Sequence, residues 1–158
     1  MNTKNKAGWE VSAIHPVIAK LNTLLADYQV FYTNLRGLHW NIRGDKFYEL
    51  HGLYEEYYNE FAEKIDEVAE RIVMLGGVPA NSFSTYLQQT GVSEISGISD
   101  WREGGNHVVA TLQYLIGSLR ELFAIARQAG DHSTVSLATH GIKSFEKKLW
   151  MLSAYLED

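Results

Sequence analysis

Hydrophobic residues recur every three or four positions through most of the chain. From Val17 they run Leu21, Leu24, Tyr28, Phe31, Leu35 and Leu38, the spacing of one face of a long helix. Arg43-Gly44-Asp45 interrupts the pattern. Phe47, Leu50, Tyr54, Phe61, Ile65, Val68, Ile72 and Leu75 then resume it until Gly76-Gly77-Val78-Pro79 stops it, which predicts a second helix of about 30 residues. Residues 81–98 are rich in Ser, Thr and Gly around a short apolar cluster of Phe83, Tyr86 and Leu87, and read as a crossover containing a small helix. Val108, Leu112, Leu115, Leu119, Leu122 and Ala126 define a third long helix, ended by Gly130. Ile142, Phe145, Leu149, Leu152 and Leu156 define the fourth. No segment alternates in the manner of a strand. The expected fold is all-α: an antiparallel four-helix bundle with a short extra helix in the long crossover, whose length lets the third helix run parallel to the second.

Length and composition narrow what such a bundle can do. The 158 residues suit one domain with its own core, with residues 1–10 expected to be a short flexible tail. Cysteine is absent, which removes thiolate catalysis, iron–sulfur clusters and Cys-type zinc sites, and leaves His and carboxylates as the available metal ligands. The N-terminal residues have no apolar core of the signal-peptide kind, and no run approaches about 18 uninterrupted apolar residues, so a cytoplasmic protein with no membrane partner is expected. The net charge of −5 disfavours polyanions over the body of the protein.

Several polar residues fall off the core stripe. Asp66 and Glu70 lie four apart on the second helix, where two like charges repel unless a cation sits between them. The bland reading is a solvated acidic face paired with Arg71 or Lys64. His51 precedes Asp66 by 15 residues, about 22 Å along the axis, so one metal cannot touch both within one chain. His39, near the end of the first helix, can meet His51 if the intervening turn is tight. On a helical wheel His51, Glu55, Asp66 and Glu70 share an arc of about 40° to 140°, away from the core stripe and together with the small residues Gly52, Ala62 and Ala69. Two copies paired antiparallel about a two-fold axis along this helix would bring the His half-site of one chain to the acidic half-site of the other, giving two identical sites per dimer. Two His and two carboxylates suit iron and also zinc or manganese.

Other chemistries leave little trace. There is no GxGxxG, Walker loop or HExxH, and Ser144-x-x-Lys147 is a chance match on an amphipathic helix. His15, His107, His132 and His140 lack clear ligand partners. No Glu-x-x-His occurs, which argues against an intrahelical di-iron centre.

The run Leu38-His39-Trp40-Asn41-Ile42-Arg43-Gly44, followed by Phe47, Leu50-His51 and Asp66-Glu67-Val68-Ala69-Glu70-Arg71-Ile72, resembles the Dps family of mini-ferritins within the ferritin-like superfamily. Met74-Leu75-Gly76-Gly77 and Lys148-Leu149-Trp150 extend the likeness. The resemblance implies a shell of twelve subunits that oxidises Fe(II) to Fe(III) at intersubunit sites, with hydrogen peroxide preferred over O2, and so stores iron and protects against oxidative stress. It implies His39, His51, Asp66 and Glu70 as iron ligands, Glu55 near a second iron, and Trp40 beside the centre. Glu56, Glu60, Glu63 and Glu67 form a carboxylate strip on the second helix, read either as a cavity-facing site of mineral nucleation or as a plain solvated face paired with Lys64.

Two departures stand out. Where the family carries several acids lining a pore at the start of the last helix, only Asp131 is present, so iron should enter more slowly or elsewhere. Family members often bind DNA through a basic terminal tail, whereas this tail has only Lys4 and Lys6 and the chain ends Glu157-Asp158. A shell of twelve chains would carry about −60, so DNA binding is expected to be weak. The alternatives are a DNA-binding, nucleoid-protecting shell with a vestigial metal site, and a structural helical oligomer without metal.

Overall fold

The structure, a computed structural model, describes residues 3–157. Five helices follow in order: α1 (Val11–Asn41), α2 (Phe47–Met74), α3 (Phe83–Gln89), α4 (Trp101–Gln128) and α5 (His132–Leu156). Among the described residues the only strand-like pairing is an isolated bridge between Lys4 and Glu10. The four long helices and the short one in the crossover are those the hydrophobic spacing predicts.

The helix ends show why the elements stop where they do. Gly76, at φ +83°, follows α2, and the amides of Gly76 and Gly77 bond the carbonyls of Val73 and Ile72. Gly130, at φ +74°, ends α4 in the same way, with Gly130 and Asp131 bonding Arg127 and Ala126. Both are Schellman caps, which need a left-handed residue that glycine adopts without strain. At the other ends, Ser82, Asp100 and Asp131 accept amide hydrogen bonds from Thr85, Glu103 and Thr134 as N-caps of α3, α4 and α5. Asp131 therefore closes one helix and opens the next, which folds α5 back on α4 through a very short corner.

The first helix begins earlier than its apolar run suggests. It starts at Val11, so Pro16 lies inside it. Buried Ile14 extends the stripe by one turn, and its packing outweighs the hydrogen bond that proline cannot donate.

Residues 3–10 are not the free tail expected from their composition. The Asn5 side chain donates to the Leu75 carbonyl at 2.6 Å, and its oxygen accepts from the amides of Ala7 and Trp9 at 3.0 Å. Thr3 accepts from Val11, and Lys4 pairs with Glu10 at 3.8 Å. A single asparagine thus fastens the segment to the end of α2. Met1 and Asn2, part of that same expected tail, lie outside the described residues, as does Asp158.

In the bundle, α1 packs on α2 and α4, and α4 on α5. Lys20 reaches Glu121 and Asp27 reaches Tyr114, so α1 and α4 run antiparallel. Arg71 reaches Asp131 and Glu60 reaches Lys148, so α2 and α5 do too. The centre is aromatic: Phe61 makes edge contacts with Tyr28 and Phe31 and stacks on Phe145 at 5.3 Å. α4 is long and apolar enough to cross a membrane by length and composition alone, but here it is a core helix with Val108, Leu112, Leu115, Leu119, Leu122 and Ala126 buried.

Polar side chains of α1 hold the crossover. Asn22 accepts from Ala80 and donates to the Val78 carbonyl, while Asn34 accepts from Ile95 and donates to the Ser93 carbonyl. Fully buried Asp27 accepts from the Thr90 hydroxyl, the Gly91 amide and the Tyr114 hydroxyl. Burial pushes the Asp27 carboxyl above its ordinary pKa, against the opposing pull of those three donors and Lys20. These side chains satisfy backbone groups that an irregular segment cannot pair for itself.

Candidate metal centre

The turn between α1 and α2 brings His39 and His51 together. Their rings stack at 3.8 Å between centroids, 17° from parallel, and Phe47 stacks on His51 at 4.8 Å. Each histidine bonds the backbone of the other: His39 Nδ1 donates to the His51 carbonyl at 2.7 Å, and His51 Nδ1 to the His39 carbonyl at 2.8 Å. A carbonyl oxygen carries no proton, so each Nδ1 must supply it. Both rings are thereby held in the tautomer that leaves Nε2 with a free lone pair. The exchange also explains why a buried polar ring is tolerated at His39.

Glu55, one turn after His51 on α2, completes a cluster: one ligand atom from each of His39, His51 and Glu55 lies within 4.8 Å of the others. Of the acids singled out from the sequence, it is the one that sits with the histidines in the same chain. Two imidazole nitrogens and a carboxylate suit a divalent first-row metal and leave coordination positions open.

Asp66 and Glu70 are not part of that cluster. Both are exposed, further along α2, at the distance the helical rise dictates. The cations that a plain solvated face would use are committed elsewhere: Arg71 pairs with Asp131 at 2.6 Å and Lys64 with Glu60 at 3.4 Å. No ion pair among the described residues engages Asp66 or Glu70. The face they share with Gly52 and Ala62 is open, and a Cβ built on Gly52 would meet nothing within 4 Å. Trp40, beside His39, is 62% exposed and stacks on the Arg36 guanidinium at 4.7 Å.

Asp131 and the carboxylate strip have settings of their own in the fold. Asp131, read as a pore carboxylate, is fully buried; it caps α5 and accepts from Arg71 Nη2 and from the amide and hydroxyl of Thr134. Within one chain its oxygens are occupied by the fold. Along the carboxylate strip Glu56, Glu63 and Glu67 are exposed, but Glu60 is bound by Lys148 at 2.6 Å, by Lys64 and by the Ser144 hydroxyl. Burial pushes the Glu60 pKa up, but Lys148 and Lys64 outweigh it and hold the carboxyl below its ordinary value. Glu60 is an ion-pair residue rather than an open ligand.

Arg71 as the partner of Asp131, and Asp27 as the anchor of the crossover, were not legible as such, because both depend on contacts some 60 residues away in sequence.

Comparison with known proteins agrees with this architecture. The ferritin-like domain family matches residues 18–158. A DNA protection during starvation protein of Porphyromonas gingivalis is 46% identical over 148 residues, covering 94% of this chain and 93% of its own. The crystal structure of a Dps protein from Vibrio cholerae O1, described as a member of a broad superfamily of ferritin-like diiron-carboxylate proteins, superposes with a TM-score of 0.97 at 39% identity over 99% of both chains. A Dps protein from Bacillus brevis superposes at 0.90 with 33% identity, over 92% of this chain and 98% of the other.

Proposed function

We propose, from the premise that this chain belongs to the Dps family of ferritin-like proteins, that it binds Fe(II) at sites shared between two copies and oxidises it to Fe(III) for storage. The observation that carries this reading is the reciprocal histidine clamp, which leaves both Nε2 lone pairs free beside Glu55, one ligand atom of each of the three residues lying within 4.8 Å of the others, while the Asp66 and Glu70 face stays exposed. An antiparallel two-fold along α2 delivers Asp66 and Glu70 of a second copy to that cluster. The proposed ligand set is His39, His51 and Glu55 from one chain with Asp66 and Glu70 from the other.

Iron is here a substrate. The imidazoles hold the incoming ferrous ion, the anionic carboxylates favour the ferric product, and a site closed by two chains keeps the reaction with hydrogen peroxide, the preferred oxidant, or O2 away from bulk solvent. Zinc and manganese fit the same donors as competitors. The proposed assembly is a cytoplasmic shell of twelve subunits in which Glu56, Glu63 and Glu67 are the free carboxylates available to nucleate ferric mineral.

The alternative, a DNA-binding shell, draws on the name of the Porphyromonas gingivalis relative. Against it stand the net charge of −5 and the pairing of Lys4 with Glu10. Ferric absorbance after anaerobic Fe(II) loading and a peroxide pulse tests the iron reading. The wild type should oxidise iron much faster than Asp66→Ala/Glu70→Ala, and equal rates for both at the level of buffer would reject it.

A further inference from the structure

His39 has another aromatic neighbour. Tyr58 meets its ring edge to face, with centroids 5.4 Å apart and planes at 80°. Tyr58 in turn meets Tyr32 at 6.0 Å and 87°, and the Arg36 guanidinium lies 5.5 Å from the Tyr32 ring. Both phenols are half-buried and neither belongs to the central aromatic core built by Tyr28, Phe31, Phe61 and Phe145. A chain of oxidisable rings therefore leads away from a proposed iron ligand.

That placement bears on an electron-counting problem at the site. Hydrogen peroxide accepts two electrons, whereas one Fe(II) supplies one. His39, His51 and Glu55 form a compact donor group for a single ion, so early loading exposes lone Fe(II) ions to peroxide. Without a second donor, the O–O bond would then break to release a hydroxyl radical.

We propose that Tyr58 and Tyr32 form a one-electron reserve for this site, a role that rests on the iron-oxidising reading above. Fe(II) gives one electron, and Tyr58 gives one electron and its phenolic proton. The O–O bond breaks to one water and one hydroxide, leaving Fe(III) and a neutral tyrosyl radical. Tyr32 passes an electron and a proton to Tyr58, which moves the radical outward. The adjacent Arg36 cation disfavours a positively charged ring there and so favours the neutral radical. A second Fe(II) and one proton then restore the phenol, and a further proton from solvent converts the hydroxide to water. The sum is two Fe(II), one peroxide and two protons going to two Fe(III) and two waters.

The test is freeze-quench EPR of the assembled protein loaded with one Fe(II) per site and mixed with peroxide, alongside ferric absorbance and a hydroxyl spin trap. The wild type should give a tyrosyl signal that narrows when ring-deuterated tyrosine is incorporated. Tyr58→Phe should lose it, Tyr32→Phe should shorten its lifetime, and both should release more trapped hydroxyl radical. Trp40→Phe should keep the tyrosyl signal. Phenylalanine preserves the ring packing, and circular dichroism checks that each variant is folded. Ferric iron formed without a tyrosyl radical, or a signal unchanged in both tyrosine variants, would overturn the reserve while leaving the oxidation site intact. No ferric iron in the wild type would remove the oxidation reading and the reserve together.

Discussion

Replacing Asp131 by alanine separates a structural carboxylate from a pore carboxylate. The side chain is fully buried and holds three donors: Arg71 Nη2 at 2.6 Å, the Thr134 amide at 3.1 Å and the Thr134 hydroxyl. Alanine removes the N-cap of α5, worth about 1 kcal/mol. It also leaves the Arg71 guanidinium without its anion, and breaking a buried pair in this way costs about 3–5 kcal/mol. The Arg71 side chain is still 15% exposed, so some solvent remains to it and the low end applies. A total of about 4 kcal/mol corresponds to a drop in Tm of about 8–16 °C for a domain of this size. Asp131→Asn keeps the cap and an oxygen facing Arg71, and should lose about half as much. Thermal unfolding of iron-free protein followed by circular dichroism reads the difference, with iron uptake measured on the same samples. An alanine variant that melts within about 3 °C of wild type yet takes up iron slowly would refute this reasoning and restore the pore assignment.

Asp27→Asn should alter how stability depends on pH. Burial raises the folded-state pKa of Asp27, so above the ordinary value of about 4 the unfolded chain gives up its proton first, and wild-type stability falls as pH rises through the interval up to the folded pKa. Asparagine can keep the same partners without ionising, so its Tm relative to wild type should be more favourable at neutral pH than at about pH 4, and a constant difference would refute the assignment. Asn5→Ala removes three hydrogen bonds that hold residues 3–10, and limited proteolysis should cut that segment faster while α2 stays protected; unchanged cleavage would mean that Asn5 does not anchor it. A gel-shift titration with duplex DNA at neutral pH should show no complex at moderate salt, and a persistent shift would favour the nucleoid-binding reading.

The fold was largely legible because a four-helix bundle repeats one signal, the three-and-four spacing, and punctuates it with glycines whose left-handed φ values appear where the stops were read, at Gly76 and Gly130. The start of α1 was less so, since Pro16 resembles a boundary and only the packing of Ile14 shows that it is not. At the site, His39 and His51 could be paired from sequence because one short turn separates them. Their exchange of bonds with each other's carbonyls could not, because it depends on the crossing geometry of α1 and α2. The contacts of residues 3–10 and of Asp131 were out of reach for a common reason. Composition and family likeness report which groups are polar, whereas Leu75 and Arg71, which bind them, lie about 60 to 70 residues away.

The central claim is that each iron site takes histidines from one chain and acids from another, and mixed assembly tests it most directly. A His39→Ala/His51→Ala chain and an Asp66→Ala/Glu70→Ala chain, each inactive alone, would be unfolded together in equal amounts, reassembled and assayed for peroxide-driven Fe(II) oxidation. Random pairing makes half of the dimers mixed, and each mixed dimer regains one intact site of two, so about a quarter of the wild-type rate should return. A mixture that stays as inactive as its separate components would contradict the shared site.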